Sequence, residues 1–358
     1  MATLMRAVLL KGHGGYDQLE YRDDVPVPSV GPDEVLVRVA AAGVNNTDIN
    51  MRVGWYSRSV DQATASQSVD GVSTDVVAAD AGWSGQAYRF PRIQGADACG
   101  RIEAVGAEVQ SLRPGLRVLI EPIVRRDPDD RGAEYLGSEC DGAFAEYVCV
   151  PATAVHPIEC GLSDVELASF PCSYGAAEHM VSRARVGPSD VVLVTGASGG
   201  VGTAAIQLAA RRGATVIAIA GAEKADALRG LGAAAVLDRG ADIVGALGRR
   251  SVTTVIDVVG GPQFPQLIDV LRPYGCYATA GAIAGPIVGL DLRMLYLKDL
   301  RLEGCTIFKP GLFADLVAYV ERGEIRPVVG AVFPLRDIVD AQKAFLSKGH
   351  VGKIVLTV

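Results

Sequence analysis

Apolar and polar positions follow two different rhythms along this chain. Up to about residue 150 the apolar runs are short and punctuated by turn signals. VLVRVA at 35–40 follows Val30-Gly31-Pro32-Asp33, and ACGRIEAVGAEV at 98–109 is interrupted by Gly100 and Gly106. RVLI at 117–120 follows Pro114-Gly115, and AFAEYVCV at 143–150 alternates until Pro151. Such spacing predicts short strands of a small, barrel-like β domain. From about Gly187 the rhythm changes. VVLV at 191–194 precedes a helical pattern over 201–212, and TVIAIA at 215–220 precedes one over 223–231. Residues 234–237 precede 242–247, VIDVV at 255–259 precedes 263–271, and 276–280 leads toward Leu300. Repeated strand–helix units predict a parallel sheet covered by helices on both faces. A strand over 300–307, helices over 311–322 and 335–347, and a last strand over 353–358 complete the chain.

Two segments depart from these rhythms. Residues 57–88 are rich in Ser, Ala, Val, Asp and Gly without a period, and a loop of that length is functional or disordered as a rule. The other is VTGASGGVG, Val194 to Gly202, between an apolar strand and a helical pattern. Glycines at 199, 200 and 202 permit a tight turn, close approach to a pyrophosphate, and close helix–strand packing. The helix start offers free N–H groups to phosphate. Gly196, Ala197, Ser198, Gly199, Gly200, Val201 and Gly202 are therefore expected to cradle a dinucleotide, although Ala197 stands where the usual pattern has its first glycine. The second strand of the unit ends at Gly221, which has no carboxylate for the ribose hydroxyls and leaves room for a 2′-phosphate. Lys224 is placed to neutralise that phosphate, with Glu223 beside it acting in opposition. NADPH is the expected cofactor.

With these features in view, the chain resembles the medium-chain dehydrogenase/reductase superfamily, and within it the zinc-free quinone oxidoreductase branch. The resemblance is carried by AAGVNNTDINMRVGWY (41–56), FPRIQGADACGRIEAVG (90–106), the glycine cradle, VIDVVGG (255–261) and the closing GKIVLTV. It implies an α/β architecture: a β-rich, barrel-like (GroES-like) catalytic domain from 1–155 and 306–358, and a Rossmann doubly wound domain from 156–305. The active site would lie in the cleft between them. Zinc-dependent relatives hold their metal through a Cys in the first stretch and a His-Glu pair in the second. Those positions are Asn45 and Ala96-Asp97 here, with Pro171 and Cys172 near the third ligand. Asn and Ala cannot replace thiolate and imidazole, so no metal is expected. The four-cysteine lobe of such relatives is missing too, since Cys140 alone lies between Glu121 and Glu146.

Without a metal, the negative charge left on the substrate oxygen by hydride transfer must meet hydrogen-bond donors. The resemblance places Asn45 and Tyr56 opposite nicotinamide and substrate. The Tyr56 hydroxyl is the candidate donor and proton source, and the Asn45 amide a second donor. Asp48 reads as a helix cap. Val259, Gly281 and Ala282 would line the nicotinamide side, and Lys353 would reach the cofactor phosphates or the cleft. Such a site suits quinones and α,β-unsaturated carbonyls, whose conjugation accepts electrons readily. Two alternatives remain open: a zinc-type alcohol dehydrogenase with its ligands elsewhere, and a nucleotide-binding regulatory protein without turnover. Residues 57–88 would form a lid over the cleft, and the 300–307 edge strand would pair two subunits into a homodimer.

Composition narrows the picture further. The chain has 358 residues, enough for two domains. A net charge of −7 without any basic run argues against nucleic acid or an anionic membrane as partner. No run approaches the length of a membrane span, and the N-terminus lacks a signal-peptide pattern. The 7 cysteines are odd in number and loosely spaced, as expected of reduced thiols in a cytoplasm.

Overall fold

The computed structural model describes residues 3–64, 78–126 and 133–358. Its two main sheets follow the two rhythms. A six-stranded sheet has the order Ala233–Asp238, Thr215–Ala220, Val191–Val194, Val252–Asp257, Leu271–Thr279 and Arg301–Gly304, every neighbouring pair parallel. In chain order this is 3-2-1-4-5-6, the doubly wound Rossmann arrangement. Side-chain alternation explains why the VVLV strand is apolar throughout. Val192 and Val194 enter one core with Ala204, Leu208 and Val216, while Leu193 enters another with Phe264, Leu267 and Ile268. Helices cover both faces, so no position on that strand can be polar.

The second sheet has seven strands. Glu34–Val44 lies at its centre, antiparallel to Asp97–Val105, Tyr147–Pro151 and Lys353–Thr357. The last strand of the chain thus returns beside the third, with Val329–Pro334 parallel to it on the outer side. Leu4–Leu10, Leu19–Pro26 and Arg92–Ile93 form a smaller sheet that packs on this β domain. The GroES-like and Rossmann architecture matches the expectation.

Three helices absent from the sequence pattern shape the cleft: Asn46–Val53, Asp164–Ala168 and Pro171–Arg183. The last packs against both Gly200–Arg211 and Leu312–Glu321. Its pattern is blurred because Ser173, Glu178 and His179 are buried along with Tyr174 and Met180. Glu178 is tolerated there by its ion pair with Arg212. The strand expected over 143–150 starts later, at Tyr147. Before it, Ala143 and Phe144 donate their N–H groups to Gly95 and Gln94. The expected 223–231 helix opens with a 3-10 turn, Ala222–Lys224. Of residues 57–88, positions 65–77 lie outside the described residues. Among the described residues no helix is long and apolar enough to cross a membrane.

Candidate active site

The site is built around one carboxylate. Asp97 opens its strand fully buried, and Gly43 opposite makes room for it: a Cβ on Gly43 would stand 2.6 Å from Asp97 Oδ2. Asp97 Oδ2 accepts from Asn45 Nδ2 at 2.8 Å and pairs with Lys353 Nζ at 2.6 Å. Oδ1 accepts the Cys172 N–H in the first turn of Pro171–Arg183, where the helix dipole favours a negative charge. Lys353 also donates to Asn45 Oδ1. Asn45 is the N-cap of Asn46–Val53, and its N–H donates to Asp48 Oδ2 at 2.7 Å. Three elements distant in sequence therefore meet at Asp97, Asn45 and Lys353.

The amide of Asn45 is fully engaged. One hydrogen goes to Asp97, another to the Gly43 carbonyl at 3.3 Å, and the oxygen accepts from Lys353. The direct donation to substrate expected of Asn45 finds no spare hydrogen in this arrangement. Asn45 holds Lys353 and Asp97 in place instead. Asp48 fills the capping role expected of it. Burial pushes its carboxyl up to about 7, against the pull of the Asn45 N–H and Lys353, and its Oδ1 has no partner among the described residues.

Tyr56 follows the helix after Gly54, whose left-handed backbone (φ 70°) turns the chain. The ring packs edge-on to Trp55 and joins the apolar cluster of Leu10, Met51 and Tyr88. Burial pushes the phenol up to about 12, so it is a neutral donor at physiological pH, with Asn50 and Thr47 bonding to it. Tyr135 and Cys172 complete this side, joined by a 2.8 Å hydroxyl–thiol contact. Burial raises both groups, the thiol to about 12. Trp83 stacks on Tyr135 at 4.9 Å. Nothing in the sequence pattern singles out Tyr135 or Trp83, because Tyr135 lies on a strand of two residues, too short to show a period, and Trp83 in a turn.

The cradle faces this constellation. The left-handed turn falls at Gly196 (φ 56°), earlier than the glycines expected to make it; Gly199 is extended. A Cβ on Gly202 would stand 2.3 Å from the Gly196 carbonyl, so this glycine provides the close packing. Ala197 is buried beneath the loop, and Val201 sits in the first turn of the helix. Gly352 donates to the Ser198 carbonyl, which ties the cradle to the returning chain just before Lys353. Beyond the second strand, Lys224 is buried, donates to the Lys348 carbonyl, and lies 3.4 Å from Ser198 Oγ. Burial lowers Lys224; burial and the Lys224 charge bring Lys348 down to about 8, and His350 nearby falls to about 4. The Glu223 carboxylate lies over Gly221.

After the strand Val252–Asp257, Asp257 pins the following loop by accepting the N–H groups of Val259 and Gly260 and the hydroxyls of Thr195 and Tyr277. Gly281 packs over the Val258 carbonyl and Ala282 against Gly260. The Ile283 carbonyl accepts the Thr64 N–H at 3.1 Å, while Thr64 Oγ1 donates to Asn50 Oδ1 at 3.0 Å. The described start of the 57–88 segment therefore bridges both lobes.

Comparison with known proteins agrees with this fold. A family described as alcohol dehydrogenase GroES-like domain matches residues 31–160, and one described as zinc-binding dehydrogenase matches residues 200–322. A crystal structure from Sinorhizobium meliloti 1021, provisionally assigned as an alcohol dehydrogenase, is 43% identical with a TM-score of 0.88, covering 100% of this chain and 97% of that one. The quinone oxidoreductase of Lama guanicoe is 28% identical over 99% of each chain. The acryloyl-coenzyme A reductase of Metallosphaera sedula is 29% identical over 99% of this chain and 100% of its own. The chain belongs to the medium-chain dehydrogenase/reductase superfamily of nicotinamide-dependent oxidoreductases and has quinone oxidoreductase-like relatives.

Proposed function

We propose that this protein is an NADPH-dependent reductase that delivers hydride to a quinone or an α,β-unsaturated carbonyl without zinc. The observation that carries the reading is the Lys353 ammonium, 2.6 Å from Asp97 and hydrogen-bonded to Asn45. A zinc ion does not fit these residues. Asn45 and Ala96 offer no thiolate or imidazole, and the remaining carboxylate is already paired with a cation. The Cys172 thiol is held protonated by burial and the neighbouring Asp97 charge. No step is therefore assigned to a metal.

The cradle fits a dinucleotide: a glycine turn, a helix N-terminus and a bare Gly202. Lys224, Lys348 and Ser198 favour a 2′-phosphate, with Glu223 in opposition. Bound nicotinamide would supply a hydride, one hydrogen with two electrons, to the acceptor and move the acceptor's conjugated pair onto oxygen. Tyr56, neutral and half-buried, donates to that oxygen and passes on the proton that completes the reduction. Val259, Gly281 and Ala282 would hold the nicotinamide. The Thr64 bridge supports a closing role for the described start of the 57–88 segment, residues 57–64. This reading divides the chain into 1–155 with 306–358, and 156–305. The edge strand Arg301–Gly304 supports a homodimer, and the unpaired cysteines support a reducing, cytoplasmic setting.

The test is a fluorescence titration with NADPH and NADH, then an acceptor screen with quinones, enones, aldehydes and alcohols, with and without chelator. Chelator-insensitive, NADPH-preferring turnover of quinones or enones is expected. Chelator-sensitive alcohol turnover would reveal a zinc enzyme, and tight binding without any turnover would reveal a regulatory protein.

A further inference from the structure

We infer that the Lys353 ammonium stands in for the catalytic metal: a fixed cation, held by Asp97 and Asn45, whose third N–H meets the negative charge that develops on the substrate oxygen. The inference rests on the hydride-transfer reading above and gives that site its charge.

Four observations converge. First, both groups that hold Lys353, Asn45 and Asp97, occupy the positions to which the family resemblance assigns the first zinc ligand and the acidic member of the His-Glu pair. Second, the ammonium is buried, with 4% of its side chain exposed. Burial of a charge is costly unless it is paired, and here Asp97 provides the pairing. Third, an ammonium has three N–H donors. Two are directed to Asn45 Oδ1 and Asp97 Oδ2, and among the described residues none accepts the third. Fourth, the route of the side chain is built into the cradle. A Cβ on Gly200 would stand 2.7 Å from Lys353 Cδ and 3.0 Å from Cγ, so the bare helix start lets the stem cross toward Asp97. The missing side chain at Gly200 thus serves the lysine as well as any pyrophosphate.

The surroundings explain why a charge is needed. Tyr56, Tyr135 and Cys172 stay protonated at neutral pH, so they bring dipoles only. Asp97 spreads its own charge over donors from Asn45, Cys172 and Lys353. An oxyanion that meets the third N–H of the ammonium gains a direct cation contact in a water-poor site, where such contacts are strongest.

The experiment compares wild type, Lys353→Met and Lys353→Arg as full chains. The first readout is equilibrium binding without cofactor of 2-hydroxy-1,4-naphthoquinone, which is an anion at neutral pH, against neutral 1,4-naphthoquinone. Lys353→Met is expected to weaken the anion about tenfold and the neutral ring less than about twofold, with Lys353→Arg recovering most of the loss. The second is single-turnover NADPH oxidation, expected to slow about 100-fold in Lys353→Met while the NADPH Kd moves less than about threefold. Equal weakening of both quinones, or a weakened NADPH Kd with unchanged single-turnover rate at saturation, would overturn the inference and leave Lys353 a phosphate ligand. If Lys353→Met does not fold, Gly200→Ala carries the test: it pushes the stem aside without removing the charge, and must also lose the anion preference. Wild-type turnover with no loss in Lys353→Met defeats the lysine's role alone. A wild type that oxidises NADPH with no acceptor defeats the hydride-transfer reading.

Discussion

Asp97 shows how much one buried carboxylate can organise: a helix cap, a second helix start and the last strand are all fastened to it. At this scale two outcomes are expected. Tyr56→Phe removes the donor while keeping the ring in its apolar cluster, so kcat should fall about 10- to 100-fold with the melting temperature nearly unchanged. Steady-state kinetics beside a thermal melt checks this, and an unaltered kcat would take Tyr56 out of the mechanism. Asp48 carries a pH signature. Burial raises its folded pKa to about 7, above the unfolded value of roughly 4. The folded chain therefore binds this proton more tightly, so the contribution is complete below about pH 4 and is lost as pH rises through 7. Asp48→Asn should flatten the fall in melting temperature between pH 5 and 8 by a few degrees, roughly. Parallel curves for the two proteins would show that Asp48 does not titrate as described.

Among the elements, the glycine loop and its helix were legible from the sequence because strand, loop and helix are contiguous and each local rule agrees with the next. The use of each glycine was not. The positive φ sits at Gly196, and Gly200 faces Lys353, a residue far along the chain. The proposed 2′-phosphate site would likewise be assembled from two elements, Lys224 after the second strand and Lys348 at the end of Ile338–Ser347. Lys224→Ala is expected to weaken NADPH about tenfold and NADH less than about twofold. Because Lys348 lies near 8, a bound 2′-phosphate should raise it and take up a proton, so NADPH affinity should fall as pH rises above about 8. Calorimetry in buffers of different ionisation enthalpy would detect that uptake, and its absence would remove Lys348 from the pocket.

For the whole molecule, one of the two edges of the six-stranded sheet is Arg301–Gly304, the other being Ala233–Asp238. Leu302 on that strand is 41% exposed, and Ile287, Leu292, Tyr296 and Leu297 nearby in sequence are all more than 60% exposed. Apolar exposure of this extent beside an unpaired edge is costly in a lone subunit. Leu302→Asp is expected to shift the protein from dimer to monomer in sedimentation velocity, and an unchanged dimer would place the interface elsewhere.

Sequence by itself determined the architecture. The apolar rhythm yields both sheets, the glycine loop yields the cofactor half, and the substitutions at Asn45 and Ala96 mark where the usual metal ligands are missing. These are local signals, carried by neighbouring residues. What takes the metal's place was decided by tertiary structure alone. Lys353 reaches Asn45 because the final strand pairs antiparallel with Glu34–Val44, and it reaches Asp97 because that carboxylate is held by the start of Pro171–Arg183. Tyr135 enters from a strand of two residues and Trp83 from a turn, neither long enough to have a period to read. A buried charge network depends on distances between remote elements, and those distances exist only once both sheets are packed together.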